Sequence, residues 1–161
     1  MEKDQKISVL FVCLGNICRS PTAEAVFKEI VKEADLSDHF LIDSAGILAA
    51  HAGEPADLRM RRHARKRGYT LSSLSRKINE QDFDSFDYII GMDSSNLHDL
   101  LHQAPDSSYR QKISLLLENA PDLNRMEVPD PYYGGAKGFE EVLDLVEAAC
   151  KPLLKKIIDA N

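Results

Sequence analysis

The chain has 161 residues, 43% of them hydrophobic, which suits a single compact domain whose core needs neither disulfides nor a structural metal. Twenty-six acidic residues against twenty Lys and Arg leave a formal charge of −6, which argues against a general polyanion binder; no nucleic-acid partner is expected, and any anion site must be built locally. No apolar run reaches the length of a membrane span, residues 1–6 read as a polar, flexible leader rather than a signal peptide, and the three cysteines form no disulfide framework, so a cytoplasmic protein without a membrane partner is expected.

In chain order, the apolar, β-branched run Ile7 to Cys13 predicts a buried strand, and a glycine-containing loop follows it. Ser20 offers an N-cap and Pro21 a first helical residue, with Ala23, Val26, Phe27, Ile30, Val31 and Ala34 at helical spacing. Phe40 to Ser44 predicts a strand, Pro55 to Arg67 a helix stopped by Gly68, Asn79 to Asp84 a short helix, and Tyr88 to Met92 a strand. Asp93 caps a helix to about Gln103, Lys112 to Leu117 predicts a strand, and Gly138 to Ala160 a final helix with a kink expected at Pro152. Between the last two, Glu118 to Lys137 is rich in Pro, Gly and Asp and too long for a plain connector, which marks it as a functional loop. This alternation implies an α/β fold, a parallel sheet covered on both faces, with ligands at the carboxyl ends of its strands.

The segment Cys13-Leu14-Gly15-Asn16-Ile17-Cys18-Arg19-Ser20 puts a cysteine at a strand end, a C-x5-R spacing, and then a helix N-terminus. Successive backbone N–H groups wound toward that terminus make a nest for phosphate oxygens, and the same field favours a Cys13 thiolate as nucleophile. Arg19 adds a planar fork able to grip two phosphate oxygens. Gly15 allows a tight path, Asn16 braces a left-handed loop residue, and the Ser20 hydroxyl is placed to donate to Cys13 as well as to cap the helix. Expelling an alkoxide or phenoxide calls for an acid, and Asp130, between Pro129 and Pro131, is held by two backbone-restricting neighbours.

With these residues in view, the chain resembles the low-molecular-weight protein tyrosine phosphatases nearly end to end. The resemblance is carried by Val12 to Ala25, Asp43 to Gly46, Gly53 to Asp57, Phe86 to Leu97 and Val128 to Gly134. It implies a single-domain, three-layer fold with a four-stranded parallel sheet flanked by helices. It also implies a phosphocysteine on Cys13, transition-state stabilisation by Arg19, and Asp130 acting first as acid and then as base. The substrate would be a phosphotyrosine protein, the product inorganic phosphate, and no cofactor or metal is needed. Loop-bracing roles follow for Asn16, Ser20 and Ser44, and a channel walled by Leu14, Ile17, Tyr132 and Tyr133; Asp93 is a candidate to orient Arg19. Cys18 is expected to pair with Cys13 on oxidation.

Two positions depart from the vertebrate pattern: Ala50 stands where an aromatic residue often walls the channel, and Ser73 where a histidine helps brace the loop. A phosphoarginine phosphatase of the same family would carry threonine at Ile17. A thiol-dependent arsenate reductase would need two further cysteines where only Cys150 remains, itself read as core filler. Arg59, Arg61, Arg62, Arg65, Lys66 and Arg67 read as a solvated helical face, and His98 with His102 lacks a third metal ligand.

Overall fold

The computed structural model describes residues 5–161; residues 1–4 of the expected leader lie outside the described residues. Four parallel strands, β1 (Ile7–Cys13), β2 (Phe40–Gly46), β3 (Tyr88–Gly91) and β4 (Ile113–Leu115), form one sheet in the order β2-β1-β3-β4. Every residue of β1 is buried, because it is an interior strand with helices on both faces. Its side chains alternate. Val9 and Phe11 enter the core shared with α1 (Arg19–Glu33), α2 (Leu58–Lys66) and α5 (Ala136–Ala160), whereas Leu10 and Val12 enter a second core with α3 (Glu80–Ser85) and α4 (Ser94–Gln103). Phe27 of α1 meets Phe11 and Phe40 edge-on at 5.6 and 5.8 Å, locking the helix onto β1 and β2. Among the described residues no helix is long and apolar enough to cross a membrane.

The expected alternation is present, with shifted boundaries. β2 runs on to Gly46, α2 begins at Leu58 because Asp57 supplies the cap, and α5 continues through Pro152 as one helix. The fourth strand is shorter than expected: Leu116 and Leu117 turn into a 3₁₀ segment that packs under α5. Asp93 does cap α4, its side chain accepting from the N–H of Asn96.

Ser20, expected as the N-cap of α1, lies one residue inside the helix. Cys18 holds the cap position and contributes no side-chain cap bond. The Ser20 hydroxyl and the Ser20 N–H both meet the Cys13 sulfur instead.

Sheet order positions the site. From β1 the chain crosses to β2 on one side and later to β3 on the other, so the loops after β1 and β3 diverge at a crevice at the carboxyl edge. The β1 loop carries Cys13 to Arg19 and the β3 loop carries Asp93. The segment after β4 returns over the same edge, where the N–H of Val128 donates 2.8 Å to the carbonyl of Met92.

Candidate active site

Cys13 ends β1, and its sulfur meets two donors from α1: Ser20 Oγ at 3.0 Å and the Ser20 N–H at 3.4 Å. The direction of the hydroxyl follows from the partners behind it. Asn16 Oδ1 accepts from the backbone N–H of Arg76 at 3.0 Å, so its Nδ2 is the donor to both Ser20 Oγ (2.7 Å) and Ser44 Oγ (3.0 Å). Ser44 Oγ donates to Glu24 at 2.6 Å, and the Ser20 hydroxyl has the sulfur at 3.0 Å and the more distant Ala45 carbonyl at 3.4 Å as acceptors. Asn16, Ser20, Ser44 and Glu24 are all buried, so each bond is made away from water. Lys28 closes the far end on Glu24 at 2.6 Å.

The loop's left-handed residue is Asn16 itself, at φ 57°, rather than Gly15. Gly15 serves by size: a Cβ there would approach the His51 ring at 3.2 Å. From below, the Ser75 hydroxyl donates 2.9 Å to the Gly15 carbonyl. Among the described residues, Ser73, which stands where the family pattern has a bracing histidine, makes no bond to this loop, and Ser75 does.

Arg19 is buried and its bonds are divided. Nη1 donates to Asp93 at 2.6 Å and to the Val128 carbonyl at 3.0 Å; Nη2 lies 3.7 Å from Asp130. Burial pulls the Arg19 pKa down, but the charges on Cys13, Asp93 and Asp130 outweigh it and hold the pKa above its ordinary value. Nε and Nη2 keep donors for a ligand. Asp130 is half-exposed and accepts at 3.0 Å from the N–H of Tyr132, which fixes one oxygen while the other faces Arg19.

A cavity of about 130 Å³ joins the two loops, bringing Cys13, Leu14, Gly15, Ile17, Cys18 and Arg19 together with Ala50, Asp130, Tyr132 and Tyr133. Asn16, Ser20, Ser44 and Asp93 stand behind its surface. Two lining residues were not anticipated from sequence, Leu48 and His51. His51 packs at 6.1 Å from the Tyr132 ring, so an aromatic surface reappears one residue beyond Ala50. Nothing in the local pattern marks it, since its neighbours are exposed. Tyr133 is almost wholly exposed and meets Tyr132 edge-on at 4.9 Å.

Cys18 stays a thiol: burial first, then the charges of Asp57, Cys13 and Asp130, push it well above the ordinary thiol range. Both Cys13 and Cys18 are free and buried. Arg59 stays on the exposed face expected of its helix but has partners there. It pairs with Asp57 at 2.9 Å and donates 3.0 Å to the Tyr132 carbonyl, while the Asp57 N–H donates 2.8 Å to the Ile17 carbonyl. One ion pair thus ties the cysteine loop to the loop bearing Asp130.

The family model described as low molecular weight phosphotyrosine protein phosphatase matches residues 8–161. The low molecular weight protein-tyrosine-phosphatase YfkJ of Bacillus subtilis is 43% identical over 152 residues, 94% of this chain and 96% of that protein. The structure of a protein tyrosine phosphatase from Entamoeba histolytica superposes with a TM-score of 0.94 at 45% identity, covering 96% of this chain and 99% of that one. A Drosophila arginine phosphatase superposes at 0.87 with 36% identity, covering 92% and 96%. A match that runs through both loops and nearly the whole sheet makes this chain a member of the low molecular weight phosphotyrosine protein phosphatase family, and so a hydrolase.

Proposed function

We propose that the protein hydrolyses phosphotyrosine and related aryl phosphomonoesters through a phosphocysteine. The observation that carries the reading is the shared cavity: a cysteine sulfur, a buried guanidinium and a second-loop carboxylate face one space whose other walls are mostly apolar. The Cys13 thiolate attacks phosphorus, the S–P bond forms as the aryl O–P bond breaks, and Asp130 gives its proton to the departing oxygen. The Asp130 carboxylate then takes a proton from water, whose oxygen attacks phosphorus, releasing inorganic phosphate and the thiolate. Nε and Nη2 of Arg19 and the N–H groups of the loop stabilise the equatorial oxygens at both steps.

Apolar Leu14, Ile17 and Leu48 with the Tyr132 ring favour a flat aryl group over a short seryl side chain. Ile17 also supports tyrosyl over guanidinyl phosphate, since an apolar side chain offers no partner to the extra N–H groups of phosphoarginine. An arsenate reductase relay is disfavoured because Cys150, the third cysteine, is fully buried on α5, away from the cavity lining. Cys13 and Cys18 share one loop, which supports the expectation that mild oxidation joins them.

Hydrolysis of p-nitrophenyl phosphate and of phosphotyrosine, phosphoserine and phosphoarginine peptides tests the reading. Wild type should prefer the tyrosyl peptide, Cys13→Ser should be inactive, and Asp130→Asn should lose about 10²–10⁴-fold in kcat. Undiminished turnover by Cys13→Ser, or preference for phosphoarginine, would overturn it.

A further inference from the structure

In a chain of net charge −6, helix α2 stands apart. Arg59, Arg61, Arg62, Arg65 and Lys66 fall within its nine residues, with no acidic residue among them. Their surroundings divide them. Arg59 is held by Asp57, Arg61 donates through Nε to the Ala56 carbonyl, and the following Arg67 is enclosed by Glu140, Asp144 and Glu147. Arg62, Arg65 and Lys66 are exposed, and among the described residues none of them has a carboxylate partner. Of the cations on and just after α2, Arg59 and Arg67 meet carboxylates and Arg61 is turned to a carbonyl, while Arg62, Arg65 and Lys66 are left to the surface.

These three line one surface depression together with Arg59 and His63. Arg59 is also the border with the active cavity, because it bonds the Tyr132 carbonyl and its guanidinium lies 5.3 Å from the centre of the Tyr132 ring. Positions 59, 62 and 66 share a helix face. They span about 10 Å along the helix, the length of about three extended peptide residues. Through Arg59 this face adjoins the Tyr132 wall of the cavity, within the reach of residues that flank a bound phosphotyrosine.

We infer that this face of α2 is a docking surface for acidic residues that flank the phosphotyrosine of a protein substrate. The inference rests on the phosphotyrosine reading above and adds the chemistry of the sequence around the target. The overall negative charge disfavours long polyanions, whereas a short acidic segment already anchored by its phosphate needs only the local field. Exposed charges at a rim act on encounter and on KM more than on the chemical step.

The test compares kcat/KM for phosphotyrosine peptides bearing glutamates on the N-terminal side, glutamates on the C-terminal side, alanines or lysines, with p-nitrophenyl phosphate as the substrate that lacks flanks. Wild type should favour one of the two glutamate peptides over the alanine peptide by about five- to tenfold at low salt. The lysine peptide should be worse than alanine, and added salt should compress the differences. Arg62→Glu with Lys66→Glu should abolish or invert the preference through KM while leaving p-nitrophenyl phosphate turnover unchanged. Equal rates for all peptides in wild type, or a preference that survives charge reversal, would overturn the docking surface with the phosphatase reading intact. Wild-type failure on both the alanine peptide and p-nitrophenyl phosphate would instead overturn the phosphatase reading, and this inference with it.

Discussion

Arg19 Nη1 lies 2.6 Å from Asp93 Oδ2, although the two residues leave different strands and are 74 positions apart. Asp93 also caps α4, so its carboxylate serves the helix through one oxygen and the guanidinium through the other. Asn is as good a cap as Asp but carries no charge. Asp93→Asn should therefore melt close to wild type yet lose about 10–100-fold in kcat/KM for an aryl phosphate, because a loosened Arg19 misplaces the phosphate. Unchanged kinetics would show that Val128 and the loop alone orient Arg19.

The three cysteines should separate by reactivity. Burial raises the Cys18 and Cys150 thiols well above the ordinary range, so both stay protonated near neutral pH, while the Cys13 sulfur receives two donors in an open cavity. Brief iodoacetamide treatment near pH 7 should give one adduct by mass spectrometry, on Cys13, with activity lost in proportion. Adducts distributed over all three residues would contradict this.

Gly46 ends β2 beneath the cysteine loop. A Cβ there would meet the Leu48 carbonyl at 3.0 Å, the Leu14 carbonyl at 3.1 Å and Asn16 Cβ at 3.2 Å, two of them backbone atoms with little freedom to retreat. Gly46→Ala should cost about 1–3 kcal/mol in denaturant unfolding and reduce kcat/KM, since two of the displaced atoms belong to the cysteine loop. A variant with wild-type stability and kinetics would show that the loop yields more easily than its contacts imply.

Asp57 links pH to stability. Burial raises its pKa, but the Arg59 side chain and the N–H groups of Met60 and Arg59 outweigh that and hold it below the ordinary carboxylate value. A depressed folded-state pKa stabilises above the unfolded value of about 3.9 and loses that contribution as pH falls. Asp57→Ala should therefore cost about 1–2 kcal/mol near neutrality through the lost cap and clamp. The gap to wild type should narrow below about pH 4. A gap independent of pH would mean that the carboxylate's charge plays no part.

The elements legible in sequence were those whose signals are local. The apolar run of β1, the periodicity of α1 and the Asp93 cap each depend on a few contiguous residues, and the structure keeps these elements, with α1 entered at Arg19 rather than after a Ser20 cap. The one cap misread shows why local signals fail. Ser20 had the right chemistry for a cap but a nearer partner in Cys13, and the Ser75 bond to the loop and the Arg59 bond to Tyr132 likewise depend on segments distant in sequence. His51 and Leu48 reach the cavity from a segment without periodicity, so no pattern could assign them a face.

By itself, then, the sequence determined an alternating α/β chain, a cysteine loop at a strand end and an acidic second loop, because hydrophobic period, caps and C-x5-R spacing are properties of neighbouring residues. The tertiary structure alone decided which loops meet. The order β2-β1-β3-β4 places the end of β3 beside that of β1, which brings Asp93 to Arg19; the segment along the end of β2 brings the Arg76 N–H to Asn16, and the one after β4 brings Asp130 to within 3.7 Å of the guanidinium. Those pairings turn on strand order and helix packing, whose free energy comes from burying two cores rather than from any local signal.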